Sequence, residues 1–268
     1  MNIVITGASD GIGASAARQL KALGHNVILV GRNREKTARI AKELDAPYHL
    51  ADYARLSDVA RLAEELNGYE RIDVLANNVG GMLSDRILTE DGNEQTFQVN
   101  VLGAFLLTNL LMDKLSSSRA KVIQTSSIAA NLFSKEFDID DLQNERGISP
   151  IHTYGNTKLC NVLFTRELNR RYGDKISAVA FEPGIVRSNF ASESSPFFKI
   201  AYHSFLKYLF TISPERSAKR LVRLVTEPFE CGEVYGNGKK YKIRLQDDGS
   251  LAASLWERCE RLTERFVK

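Results

Sequence analysis

A chain of 268 residues, 43% hydrophobic and 26% charged, has the composition of a soluble globular protein, with a length that suits one large domain or two small ones. Its 36 basic and 33 acidic residues leave a net charge of +3, too near balance for a nucleic-acid-binding footprint. Cys160, Cys231 and Cys259 form no C-x-x-C pair, which argues against a disulfide framework or structural zinc and for reduced thiols in a cytoplasmic protein.

The opening "MNIVITGAS" is already strand-like and lacks a basic leader, so no signal peptide is expected. Strand-like runs follow in order: "NIVIT" (2–6), "NVILVG" (26–31), "PYHLA" (47–51), "IDVLAN" (72–77), "KVIQTS" (121–126) and "ISAVAFE" (176–182). "GEVYG" (232–236) adds a seventh. Helical patterns cover 13–23, 34–44, 55–66, 151–171 and 214–226. A last amphipathic helix spans 251–266, with Leu255, Cys259 and Leu262 on one stripe. The alternation predicts an α/β protein. Its fold would be a single domain over 1–268, a doubly wound parallel sheet of about seven strands with helices on both faces. "NIVIT" has little polar alternation, as expected of a strand buried on both faces. The most apolar window, 196–212, is broken by Lys199, His203 and Lys207, so no transmembrane segment is expected.

"TGASDGIG" (6–13) follows the first strand and opens a helix, with Gly7, Gly11 and Gly13 spaced G-x-x-x-G-x-G. Glycines there allow a tight turn and a close approach of backbone to a pyrophosphate, and the helix start offers free N–H groups. A plain strand–helix connection would also use glycine, but the position at the first βα junction points to dinucleotide binding in a Rossmann-type fold. NAD-selective folds place an acid at the end of the second strand. Here that strand ends "LVGRNREK", with Gly31 and Arg32 at the place of the acid. A guanidinium binds a 2′-phosphate by charge-assisted hydrogen bonds, so NADP(H) is preferred, with NAD(H) as the alternative and Arg32 as the main contact. A solvated surface arginine is the competing explanation.

"YGNTK" sets Tyr154 and Lys158 four apart, on one helix face. A phenol is too weak an acid to exchange protons freely at neutral pH, and a nearby ammonium favours the phenolate. Alone, the pair would read as a core tyrosine and a surface lysine. However, "TSS" (125–127) ends the fifth strand and "NNVG" (77–80) the fourth, on the same carboxyl edge of the sheet. "FQVNVLGAF" places Asn100 among apolar neighbours in a helix, where a buried amide needs partners.

Taken in order, "TGASDGIG", Asp52 after the third strand, "NNVG", Asn100, the "SS" pair, "YGNTK" and "PGIVRS" resemble the short-chain dehydrogenase/reductase family over essentially the whole chain. The glycine spacing is similar to that of the simple dehydrogenases rather than the sugar-nucleotide epimerases. The resemblance implies that Tyr154 is the acid/base and that Lys158 holds the nicotinamide ribose and lowers the Tyr154 pKa. It also implies that Ser127 orients the substrate oxygen and Asn100 holds a water leading to Lys158. For the cofactor it implies contacts from Thr6, Gly7, Ser9, Asp10, Gly11, Ile12 and Gly13 around the pyrophosphate. Arg32 and Asn33 would take the adenosine ribose, and Asp52 and Tyr53 the adenine. Asn77, Asn78, Val79 and Gly80 would line the cleft, and Pro183, Gly184, Val186 and Ser188 would meet the nicotinamide. Ser188 stands where the family usually has threonine, and Val79 where it commonly has alanine.

Ser127 and Tyr154 lie 27 positions apart, farther than in the simplest members of the family, with 128–153 as an insert. "FDIDDLQNERG" (137–147), followed by the 151–171 helix, resembles the retinol dehydrogenase-like branch, which includes the WW domain-containing oxidoreductases. As a calcium loop it fails: counted from Asp138, glycine and glutamate are replaced by Gln143 and Ser149. It reads as a solvated insert whose carboxylates do no chemistry. The 188–212 segment resembles the family's substrate lid and carries Phe190, Phe197, Phe198, Tyr202, Phe205, Tyr208 and Phe210. Such a lid suits an apolar carbonyl or alcohol substrate such as a retinoid, steroid or long-chain aldehyde. Packing of the lid, a subunit contact or shallow membrane attachment aided by Lys199 and Lys207 would use the same rings. A cofactor-binding regulator and a carbon–carbon double-bond reductase are the rival functions. Four histidines (25, 49, 152, 203) show no ligand-like pairing, so no metal is expected. The resemblance further implies a homodimer or homotetramer paired through the helices carrying Asn100 and Tyr154.

Overall fold

Strands rich in Val and Ile with no polar alternation can sit only where both faces are covered. The computed structural model, which describes residues 1–83, 86–186, 212–245 and 249–267, places them so. Strands β1 (Asn2–Thr6), β2 (Asn26–Gly31), β3 (Tyr48–Leu50), β4 (Val74–Asn77), β5 (Lys121–Thr125), β6 (Ser177–Glu182) and β7 (Val234–Gly236) run parallel. The order is β3-β2-β1-β4-β5-β6-β7-β8, so the winding reverses between β1 and β4. Ligands of open α/β sheets bind at such a switch point, beyond the carboxyl ends of the strands. The two-residue β8 (Lys239–Lys240) was not expected from the sequence. It pairs antiparallel with β7 across Asn237 and Gly238, both with positive φ (50° and 77°). That is the asparagine–glycine turn of a tight hairpin.

Helices cover both faces. Among the described residues, α1 (Gly11–Ala22), α2 (Arg34–Leu44) and a later helix, Pro214–Thr226, pack on one side with Ile3, Ile5, Leu29 and Phe181. On the other lie α3 (Leu56–Asn67), the short α4 (Gln95–Phe97), α5 (Gly103–Leu110), α6 (Met112–Ser117), α7 (Ala129–Leu132) and α8 (Pro150–Tyr172). The Pro214–Thr226 helix, α9, starts with Ser213 accepting the Arg216 N–H and Pro214 in the first turn, both ordinary start signals. No helix of the described residues is long and apolar enough to cross a membrane.

The last helix, α10 (Ser250–Thr263), buries Ala252, Leu255, Trp256 and Cys259. Leu262, expected on that stripe, is exposed because the buried arc is turned toward Trp256 and Thr263. The Trp256 indole sits 5.0 Å from the Phe105 ring and 5.7 Å from Phe164, so α10 bridges α5 and α8. The insert between Ser127 and Tyr154 is only partly solvated, contrary to expectation. Asn144 is buried, and Gln143 reaches back to accept the Glu94 N–H (2.7 Å) and donate to Asn93 Oδ1 (3.0 Å).

Candidate active site

The glycine loop is held by what its residues lack. A Cβ on Gly13 would lie 2.3 Å from the Gly7 carbonyl oxygen, and Gly7 itself has φ of 67°. Both positions therefore favour glycine. Asp10 caps α1 by accepting the Gly11 N–H (2.7 Å), and its carboxylate faces Lys36 Nζ at 3.7 Å. The Ile12 and Gly13 amides, in the first turn, have no acceptor within the helix, which leaves them for an anion.

Thr6, Asn77 and Asn78, all of the expected cofactor set, use their side chains within the protein. Thr6 Oγ1 donates to Ala76 O (3.2 Å) and accepts the N–H groups of Asn78 (2.9 Å) and Val79 (3.1 Å). Asn78 Nδ2 donates to Thr6 O (3.0 Å), and Asn77 Nδ2 turns away to Thr108 Oγ1 (3.0 Å). These bonds staple the end of β1 to the end of β4 and shape the cleft floor. The Tyr53 ring is buried against Gly103, and burial pushes its phenol up. Asp52 is half-buried, with Oδ1 accepting the Ala54 N–H (3.1 Å).

At the end of β2, a Cβ on Gly31 would stand 2.2 Å from Thr37 Oγ1 and 3.1 Å from Ser9 Cβ. Position 31 therefore has no room for a carboxylate side chain. Arg32 is exposed beside it, and Asn33 caps α2 by accepting the Lys36 N–H (2.9 Å).

On the catalytic side, Pro150 opens α8, and Gly155 lets α7 approach it: a Cβ there would meet Ala129 O at 2.9 Å. Tyr154 and Lys158 are both buried, with Lys158 Nζ 5.5 Å from the centre of the Tyr154 ring. Lys158 is 2% exposed, and burial pushes its ammonium down to about 7. Its Nζ has three donors and, among the described residues, one hydrogen-bond acceptor, Thr125 O at 3.2 Å. Asn100 lies in a π-helical turn, Gln98–Leu102, a local expansion that often marks functional positions. Its Oδ1 accepts the Gly81 N–H (2.8 Å), and its Nδ2 donates to Gly81 O (2.9 Å) and Thr157 Oγ1 (2.9 Å). Thr157 Oγ1 in turn donates to Tyr154 O (2.8 Å). A Cβ on Gly80 would stand 2.8 Å from Lys158 Nζ and 3.0 Å from Asn100 Oδ1. The structure thus gathers Asn100, Lys158, Tyr154 and Gly80. Ser127 is half-buried, its Oγ accepting the Ala129 N–H (3.2 Å), while Ser126 donates to Lys158 O (2.9 Å).

Sequence reasoning missed Thr157 as the joint between Asn100 and the Tyr154 turn, and Gly81 as its backbone partner. It also missed Met82, Ala129 and Ile151, the apolar cluster around Tyr154. His152 stacks on Phe133 with ring centres 4.2 Å apart. At the carboxyl end of β6, Pro183, Gly184 and Val186 follow Glu182, and Val186 pairs with Ile212. Ser188 and the aromatic residues 190–210 lie outside the described residues. No group of three or more His, Cys, Asp or Glu side chains that could hold a metal occurs among the described residues.

A dinucleotide fits this cleft on two counts. The Gly7 and Gly13 positions leave a cradle with no side chains, and the buried Lys158 ammonium has donors to offer a diol.

Comparison with known proteins bears on the identity of the chain. The family model described as short chain dehydrogenase matches residues 1–139, ending before α8. Whole-chain relatives carry the likeness further. A protein of Streptomyces sp. (strain C5) described as a daunorubicin C-13 ketoreductase is 37% identical, over 95% of this chain and 90% of its own length. Human retinol dehydrogenase 13 is 34% identical, over 97% of this chain and 83% of its own. The crystal structure of an uncharacterized protein from Mycobacterium paratuberculosis superposes with a TM-score of 0.77 at 29% identity, covering 98% of this chain and 93% of that one. The chain belongs to the short-chain dehydrogenase/reductase family, in its retinol dehydrogenase-like branch, and is an oxidoreductase that interconverts CH–OH and C=O groups with NAD(P)(H).

Proposed function

We propose that this enzyme uses NADP(H) and acts on an apolar carbonyl or alcohol of retinoid, steroid or long-chain type. The observation that carries the catalytic reading is the buried Lys158 beside Tyr154, braced by Asn100 through Thr157. When bound, the nicotinamide supplies or accepts the hydride. In the reducing direction Tyr154 gives its hydroxyl proton to the substrate oxygen as carbon gains the hydride, leaving a phenolate. The Ser127 hydroxyl donates a hydrogen bond to the same oxygen and orients it. Lys158 holds the nicotinamide ribose and stabilises the phenolate, which regains a proton from solvent along the Asn100 side. In the oxidising direction each transfer reverses.

Two features support NADP(H). Position 31 excludes a carboxylate, and the exposed Arg32 next to it suits a 2′-phosphate. An apolar substrate is supported by five large exposed hydrophobic residues in the segments after β4, β5 and β6: Ile87, Leu88, Ile128, Leu132 at the end of α7, and Ile185. Relatives described as retinol dehydrogenase and ketoreductase agree with it. For assembly we keep the homodimer or homotetramer. Because α10 lies across α5 and α8, a partner on that face would meet α10, which light scattering of an α10 surface variant would detect. Vesicle co-sedimentation tests membrane contact.

The deciding assay is a panel of retinaldehyde, steroid ketones and long-chain aldehydes, followed by nicotinamide absorbance with NADPH and with NADH. An enone in the panel separates carbonyl from double-bond reduction. Arg32→Asp should weaken NADPH binding about tenfold or more. Equal NADPH affinity in both proteins would sink the cofactor assignment.

A further inference from the structure

The carboxyl end of β6 is fastened to α9 by a chain of contacts that the proposed chemistry does not use. Glu182 ends β6 at the ligand edge of the sheet, yet both its carboxylate oxygens are engaged. Oε1 accepts the Gly184 N–H (2.5 Å), and Oε2 accepts from Arg220 Nη1 (2.8 Å). The same Arg220 nitrogen also donates to the Glu182 carbonyl oxygen (2.9 Å). One turn earlier on α9, Ser217 Oγ donates to Pro183 O (2.8 Å) from a fully buried position. Ile212, just before α9, donates its N–H to Ile185 O (2.8 Å).

The backbone between these points is specialised. Gly184 has φ of 84°, and a Cβ there would meet Ile212 Cδ1 at 2.9 Å and Arg220 Nη1 at 3.2 Å. Across the sheet, a Cβ on Gly236 would approach Glu182 Oε2 to 3.1 Å. The pair is therefore packed on both sides, and the Glu182 and Arg220 side chains are only 10% and 17% exposed. A buried carboxylate that loses its partner is left uncompensated. At this edge it would also repel the phosphates of a dinucleotide.

We propose that Arg220 and Glu182 form a clamp that sets the 183–186 loop against the nicotinamide half of the cofactor, with Arg220 as a positioning residue. Arg220 does this in two ways: it neutralises Glu182, and it orients the oxygen that holds the Gly184 N–H. The clamp rests on the proposed reading that this loop meets the nicotinamide.

The test compares two probes, NADPH and adenosine 2′,5′-bisphosphate, which lacks the nicotinamide half. Arg220→Met should weaken NADPH about tenfold and leave adenosine 2′,5′-bisphosphate within about twofold of wild type. Amide exchange at Gly184 in the free protein should speed up in the same variant. Adding Glu182→Gln, which removes the unpaired charge, should restore part of the NADPH affinity. Arg220→Lys keeps the charge but puts a compact, flexible ammonium in place of the rigid guanidinium, so it should fall between wild type and Arg220→Met. It also serves as the readout if Arg220→Met does not fold. Wild-type NADPH affinity in the substituted protein, or equal weakening of both probes, overturns the clamp alone. A wild type that binds neither NADPH nor NADH overturns the functional reading and the clamp with it.

Discussion

At the glycine loop, a methyl group on Gly13 would collide with the Gly7 carbonyl oxygen at 2.3 Å, whereas at α8 the decisive group is a long side chain, Lys158, buried to 2% exposure. One end of the cleft is built from side chains that are absent: Gly7, Gly13 and Gly31 leave backbone and space. The other is built from buried side chains: Asn100 is bonded to Thr157, Thr157 to the Tyr154 carbonyl oxygen, and Lys158 lies over the Tyr154 ring. The first end offers fixed N–H dipoles that do not titrate. The second offers a group whose protonation burial shifts, the Lys158 ammonium. Substitutions in the first should act on cofactor binding, and those in the second on turnover and pH dependence.

The largest expected effect tests the second half. Tyr154→Phe removes the proton donor and keeps the ring in its apolar cluster with Met82, Ala129 and Ile151. Turnover should fall by about 10²–10⁴-fold with NADPH affinity unchanged, since a positioned acid/base contributes about that much. Normal turnover on a working substrate would break the distinction between the two ends.

Lys158 gives the next effect. Its unfolded pKa is about 10.4, and burial holds the folded group at about 7. Between those values the unfolded chain binds the extra proton, so stability rises with pH through that window. The penalty is in full force below the folded pKa and gone above the unfolded one. Lys158→Met should lack this rise and be more stable than wild type near neutral pH, by several kcal/mol at about 1.4 kcal/mol per pKa unit. Urea midpoints of both proteins across the window check it, and parallel pH profiles would refute it.

Gly13→Ala probes the first half. The clash is with backbone, which cannot rotate away, so the loop must shift at a cost of about 1–3 kcal/mol. NADPH binding should weaken more than turnover at saturating cofactor changes, a split read from titration and from kcat. Loss of kcat with intact binding would show that the glycine loop acts on chemistry.

The same contrast explains what the sequence made legible. The strands and the glycine loop are local patterns, runs such as "NIVIT" and a fixed glycine spacing, so they were readable and stand where expected. The Tyr154 and Lys158 pair was readable because it repeats within one helix. Thr157 was not, because its bond to Asn100 spans 57 positions and depends on a π-helical turn that hydrophobic periodicity does not announce. Thr6, Asn77 and Asn78 lie in the right motifs, but only tertiary structure reveals that their side chains join β1, β4 and α5. The β7–β8 hairpin carried an Asn–Gly signal that was legible and overlooked.

The smallest effects separate the insert from the chemistry it borders. Its acids close the segment on itself or clip it to α10: Asp138 pairs with Arg146, Asp140 with Arg258, and Asp141 accepts the Glu145 N–H (2.7 Å). Gln143 does something different. It accepts the Glu94 N–H, while the Glu94 carboxylate caps α4 through Thr96 N (2.9 Å) and Phe97 N (2.7 Å), the turn leading directly to Asn100. Gln143→Ala leaves that half-buried amide without its acceptor and should cost about 1–3 kcal/mol. Asp140→Asn removes an exposed ion pair worth about 0–1 kcal/mol, with a difference that shrinks in salt. Thermal unfolding at low and high salt measures both, and turnover per folded molecule should stay at the wild-type level in Asp140→Asn. A turnover loss in Asp140→Asn, with Gln143→Ala unchanged in stability, would give the acids a role in the reaction and remove the insert as a brace for the Asn100 turn.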